Sequence, residues 1–121
     1  MRVMAIIGPS RSGKTTMIAG LIRAYVARGE RVGAIKHTHH PLNEEDRGDT
    51  RLFREAGAEQ VILAGEREAV IFRGGKTSRI TFEQPRELLE QFDTDVVLIE
   101  GFKDVDDWPR FTVDEARILP P

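Results

Sequence analysis

Gly8-Pro9-Ser10-Arg11-Ser12-Gly13-Lys14-Thr15 is the stretch on which the fold turns. Its residue types suit a loop that cradles phosphate, and its flanks decide that reading. Before it runs Val3-Met4-Ala5-Ile6-Ile7, nearly all apolar, as in a strand buried on both faces of a parallel sheet. After it, Met17, Ile18, Leu21, Ile22, Tyr25 and Val26 recur at helical spacing. They predict a helix from about Lys14 to Arg28 that Gly29 ends. Arg31 to Lys36 reads as a second strand, completing a βαβ unit. An accidental glycine turn would lack both flanks. The chemistry explains the composition. Glycines let the backbone curl until successive N–H groups converge on phosphate oxygens. The helix N-terminus adds partial positive charge. Lys14 can reach the β- and γ-phosphates, and the Thr15 hydroxyl suits magnesium, a hard cation that prefers oxygen.

Downstream, His37 to Gly48 is polar and carries Pro41 and Asn43, which predicts a long functional loop. A short helix follows from Asp49 to Ala56, with Leu52 and Phe53 facing inward and Gly57 stopping it. Gln60 to Ala64 is a third strand. Ala69–Phe72 and Arg79–Phe82 flank Gly74-Gly75 as a hairpin. Pro85 starts another helix with Leu88, Leu89 and Phe92 as its buried face. Asp95 to Ile99 is a second strongly apolar strand, and Phe111 to Val113 is short and strand-like before the Pro120-Pro121 end. The sum is an α/β class, three-layer P-loop NTPase fold: a mainly parallel sheet flanked by helices, with a small hairpin insertion.

Two further segments carry chemistry. Asp95-Val96-Val97-Leu98-Ile99-Glu100 resembles a Walker B strand and delivers a carboxylate to the C-terminal edge of the sheet, where ligands bind in open α/β folds. Glu100 is therefore a magnesium candidate, although a solvated acid at a strand end looks the same in isolation. Lys36-His37-Thr38-His39-His40 emerges at that same edge and holds all three histidines of the chain. It fits a transition-metal site, an anion-binding patch or a pH-sensitive loop, but no nearby spacing supports a tetrahedral zinc set. Asp49 serves either as a helix N-cap or as a magnesium ligand. The runs Glu44-Glu45-Asp46 and Asp104-Val105-Asp106-Asp107 read as exposed, and Phe102 and Trp108 as either core or partner contacts.

Bulk properties set outer limits. A chain of 121 residues suits one domain spanning 1–121, and 40% hydrophobic content is enough for a core. A net charge of -2 gives no global field for nucleic acid or anionic membrane. The absence of cysteine excludes disulfides, thiolate metal sites and cysteine nucleophiles. The first apolar run stops at Gly8, too early for a signal peptide, and no stretch is long enough to span a bilayer. A cytoplasmic protein is expected.

The phosphate loop through Thr16, Ile35-Lys36-His37-Thr38-His39-His40, Arg54-Glu55-Ala56-Gly57-Ala58 and Leu98-Ile99-Glu100-Gly101-Phe102-Lys103 occur in this order. Together they resemble the MobB family of molybdopterin-guanine dinucleotide biosynthesis adapter proteins, from Val3 to about Val113. The resemblance implies a P-loop GTPase-like fold, GTP and magnesium as cofactors, and weak hydrolysis at most. It implies a role beside a MobA-like guanylyltransferase, which joins GMP to molybdopterin, with molybdopterin itself a candidate ligand. It also implies a homodimer. Pro9, Ser10, Arg11, Ser12, Gly13, Lys14, Thr15 and Thr16 would hold the triphosphate. Thr15, Glu100 and Asp49 would hold magnesium, and Lys36, His37 and His39 would line the same cleft. This sequence departs from the family in placing Arg11 where glycine is usual, in a loop before Asp49 about one residue short, and in an early end. It has no Asn-Lys-x-Asp guanine-reading motif, since Asn43 is its only asparagine. Two alternatives stay open on residues alone: a small-molecule P-loop kinase, and an interaction module whose nucleotide site is vestigial.

Overall fold

The computed structural model describes residues 1–118; Pro120-Pro121 lie outside that range. One sheet of seven strands runs through it in the order β5-β4-β3-β2-β6-β1-β7. These are β1 Arg2–Ile6, β2 Val32–His37, β3 Gln60–Ala64, β4 Glu68–Arg73, β5 Lys76–Thr81, β6 Val96–Glu100 and β7 Arg110–Phe111. Strands β1, β2, β3, β6 and β7 pair in parallel, and the β4–β5 hairpin extends the sheet antiparallel from β3. Every residue of β6 is buried, as its unbroken apolar run requires of a central parallel strand.

Each face of the sheet has its own core. On one face, α1 (Lys14–Ala27) and α2 (Asp49–Ala56) pack over the central strands with α3 (Val113–Ala116) beside them, through Ile18, Ile22, Tyr25, Phe53 and Val113. On the other, the 3₁₀ helix Pro85–Gln91 contributes Leu88, and the segment after β6 contributes Phe102 and Trp108. Both aromatics are thus core residues. The three-layer α/β expectation holds, with the second layer of helix reduced to that single 3₁₀ element.

Local physics accounts for the differences from the sequence reading. In α2, Thr50, Phe53 and Ala56 form the buried face, so Leu52 lies off it and is half exposed. The segment from Pro85 winds as a 3₁₀ helix in which only Leu88 is fully buried. Beyond β7 the chain forms α3 instead of continuing extended. Its Thr112 cap accepts the Glu115 N–H while the Glu115 carboxylate accepts the Thr112 N–H. The Thr112-x-x-Glu115 spacing is the sequence signature of such a box. Gly74 and Gly75 have φ values of 57° and 77°, the double left-handed turn that a two-residue hairpin needs.

Candidate functional site

Strand register brings the site together before any side chain is considered. In the parallel pairing of β2 with β6, Lys36 stands opposite Glu100; in that of β1 with β6, Glu100 stands opposite Ile6. The last residue of β6 therefore lies between the phosphate loop and the histidine segment. Two successive residues then turn the chain sharply. Gly101 has φ 102° and Phe102 φ 52°, a left-handed conformation that a bulky residue takes only under constraint.

Glu100 is only 3% exposed, so its charge needs partners. Its Oε1 accepts from the Thr15 hydroxyl at 2.9 Å, and its Oε2 pairs with Lys36 Nζ. Asp49 Oδ2 accepts from the same hydroxyl at 3.1 Å and lies 2.9 Å from Lys36 Nζ. Gly48, not Asp49, occupies the N-cap of α2, and no side chain caps it. The N-cap reading of Asp49 is thus set aside: its carboxylate turns away from the helix start toward Thr15 and Lys36. Burial pulls the Lys36 ammonium downward, yet hydrogen bonds to Glu100 and Asp49 outweigh it and hold the pKa above the ordinary lysine value. The result is a compact group of hard oxygens with one ammonium lodged between two carboxylates.

The phosphate loop is pre-curled. Lys14 Nζ folds back over it, donating to the carbonyls of Gly8 at 2.9 Å and Pro9 at 2.6 Å. Ser12 Oγ is buried without a hydrogen-bond partner, an unmet polar group inside the cradle. Arg11 has φ 60°, the conformation glycine takes without cost, and its side chain is exposed. A cavity of about 380 Å³ is lined by Ser10, Arg11, Gly13, Lys14, Thr15 and Thr16, and by Lys36, Asp49 and Glu100. Beside it, a larger one of about 680 Å³ takes in Pro9, Ser10, Lys14, Lys36, His37 and His39. These residues fit a magnesium-bound triphosphate: donors in the loop, a hydroxyl and two carboxylates below it, and two lysines able to exchange their present partners for phosphate oxygen.

His37 packs at the end of β2. Its ring stacks on Phe102 with centroids 4.1 Å apart and planes 7° from parallel, and burial holds its imidazole below the ordinary histidine pKa against the pull of Glu66. His39 and His40 are exposed on the loop beyond it. The acidic run in that loop is tied down: Asp46 pairs with Arg54 of α2, and Glu44 lies 3.4 Å from Arg79 of β5. Sequence reasoning missed Glu66, whose carboxylate reaches both His37 and His39. Nothing local marks it; only the strand order places the β3–β4 turn beside the end of β2.

The model of the family described as MobB, molybdopterin guanine dinucleotide synthesis protein B, matches residues 3–116. The chain belongs to the MobB family. It is 42% identical over 106 residues to the molybdopterin-guanine dinucleotide biosynthesis adapter protein of Haemophilus influenzae, covering 84% of this chain and 57% of that protein. It is 36% identical over 103 residues to the protein of the same name from Escherichia coli, covering 84% and 59%. The chain therefore spans less than two thirds of the length of these MobB relatives. A MobB homolog from Bacillus stearothermophilus shares the fold with a TM-score of 0.55 at 24% identity, over 93% of this chain and 63% of that one. A structure of Bacillus subtilis MobB gives 0.52 at 26% identity, over 93% and 64%.

Proposed function

We propose that this MobB-family chain binds GTP with magnesium and acts as a nucleotide-holding adapter beside a MobA-like guanylyltransferase in molybdopterin-guanine dinucleotide synthesis. The observation that carries this reading is the convergence of Thr15, Asp49, Glu100 and Lys36 beneath a pre-curled phosphate loop. Pro9 to Thr16 would hold the triphosphate, and the Thr15 hydroxyl with the Glu100 and Asp49 carboxylates would hold magnesium. The ion, when bound, neutralises charge on the phosphates. Lys36 now lies between the two carboxylates and would be released toward phosphate oxygen. The relatives' names support the setting in molybdopterin-guanine dinucleotide synthesis.

Hydrolysis is proposed to be slow or absent. With nucleotide bound, both carboxylates nearest the loop would be committed to magnesium, so neither would be free to take a proton from an attacking water. The larger cavity continues past the loop to Lys103 and Asp104, leaving room for a second ligand; molybdopterin is proposed there on the family resemblance. Among the described residues no helix is long and apolar enough to cross a membrane. A cytoplasmic location and a homodimer belong to the same proposal, carried by the family resemblance. Calorimetric titration of the purified chain with GTP and with ATP, each with magnesium, tests it. GTP is expected to bind more tightly, and Lys14→Ala to lose both. Equal or tighter binding of ATP would overturn the guanine assignment.

A further inference from the structure

Glu66 and the first two histidines form a group to which the proposed triphosphate and magnesium contacts assign no role. Glu66 Oε1 lies 3.3 Å from His37 Nε2 and 3.3 Å from His39 Nδ1. One donor atom from each residue falls within 4.8 Å of the others. Zinc bonds to histidine nitrogen and carboxylate oxygen are about 2.0–2.2 Å long, so two ligand atoms at a tetrahedral ion stand roughly 3.4 Å apart. The two measured separations already have that spacing.

We propose that His37, His39 and Glu66 bind one divalent transition-metal ion, of zinc or cobalt type, at the mouth of the cleft beside the phosphate loop. Two imidazoles and one carboxylate are the donor set of open zinc sites, which leave a coordination position for a non-protein ligand. The sequence spacing supplied only histidines; the β3–β4 turn supplies the carboxylate. The site is built as well as clustered. The stack on Phe102 fixes the His37 ring, and the absence of a side chain at Gly101 makes room for it, because a Cβ there would lie 2.8 Å from His37 Cβ. Rings held in this way are pre-organised for coordination. His39 and Glu66 are 77% and 73% exposed, so an ion enters from solvent without local unfolding. All three ligands line the cavity that also takes in Pro9 and Lys14. The open position therefore lies within reach of an anionic group in that cavity. Magnesium does not compete for this site, since it avoids imidazole in favour of oxygen and water.

The site stands whether or not the nucleotide is GTP, so its test uses no nucleotide. The full chain, stripped with chelator and held in millimolar magnesium, is titrated with cobalt(II) while visible absorption is followed, and with zinc by calorimetry. One equivalent is expected, with the visible bands of four- or five-coordinate cobalt. His39→Ala and Glu66→Gln alter exposed side chains and should keep the far-UV spectrum of the parent while weakening the metal at least tenfold. His40→Ala should bind as the parent does. Persistence of the full-affinity site in either of the first two variants would overturn the proposal. So would absence of a stoichiometric cobalt spectrum, or equal loss in His40→Ala.

Discussion

Lys36 is the residue on which the resting site balances. Its side chain is 23% exposed and that of Glu100 only 4%, so removing the ammonium strands a buried carboxylate. Breaking a buried pair by deleting one partner costs about 3–5 kcal/mol. Lys36→Met should lose stability toward the lower end of that range, because Thr15 still donates to Glu100. Urea denaturation in chelator measures the loss, and millimolar magnesium should restore more stability to the variant than it adds to the parent. A variant as stable as the parent without magnesium would remove the balancing role. Arg11 is the second case. Its left-handed backbone costs a non-glycine residue roughly 1–2 kcal/mol, while glycine gives back about 0.5–1 kcal/mol through a freer unfolded chain. Arg11→Gly should therefore be stabilising by about 0–1.5 kcal/mol. It should keep nucleotide affinity within a few-fold; a large loss would make the Arg11 guanidinium a binding group. Lys14 and Thr15 were legible in the sequence because the loop that uses them is contiguous. Asp49 was legible only as a choice between two roles, and Glu66 not at all, because register and strand order decide both.

At the scale of elements, β2 carries Lys36 and His37 to the site, and its position depends on Gly33. A Cβ at Gly33 would lie 2.3 Å from Phe92 Cδ1 and 3.2 Å from the Thr94 hydroxyl. The ring of Phe92 fills the space a side chain would take. Gly33→Ala should cost about 1–3 kcal/mol, the usual penalty for overpacking, read as a lower urea midpoint at unchanged slope. An unchanged midpoint would mean that Phe92 moves aside freely. Elements of strong period were legible. The apolar run of β6 and the stripe of α1 appear where the sequence puts them, within a residue or two at their ends. The weaker ones were not. Leu52 reads as inward beside Phe53, yet a helix of eight residues has room for one narrow face. The helix from Pro85 winds as 3₁₀, which leaves Leu88 fully buried and Leu89 and Phe92 half-buried against the same core.

Across the whole molecule, the site sits where chain connections diverge. After β1 the chain leaves through α1 on one face toward β2, and after β6 it leaves through Phe102 and Trp108 on the other face toward β7. β1 and β6 are neighbours in the sheet, so a crevice opens between their C-terminal ends, the general position for ligands in such folds. This explains why residues as distant as Thr15 and Glu100 meet without any loop reaching across. It also means that a ligand in the crevice ties together elements from both core faces, so binding should appear as global stability. At a hundredfold excess over Kd, one site adds about 2.7 kcal/mol, which for a chain of 121 residues is on the order of 10 °C in Tm. GTP with magnesium should produce that shift, and magnesium alone much less, because Lys36 already compensates the carboxylates that would receive it. Thr15→Val should keep the parent Tm in chelator to within a few degrees and lose most of the shift with magnesium and GTP. A full shift in Thr15→Val would place magnesium elsewhere, and equal shifts with and without GTP would detach the phosphate loop from the carboxylate cluster below it.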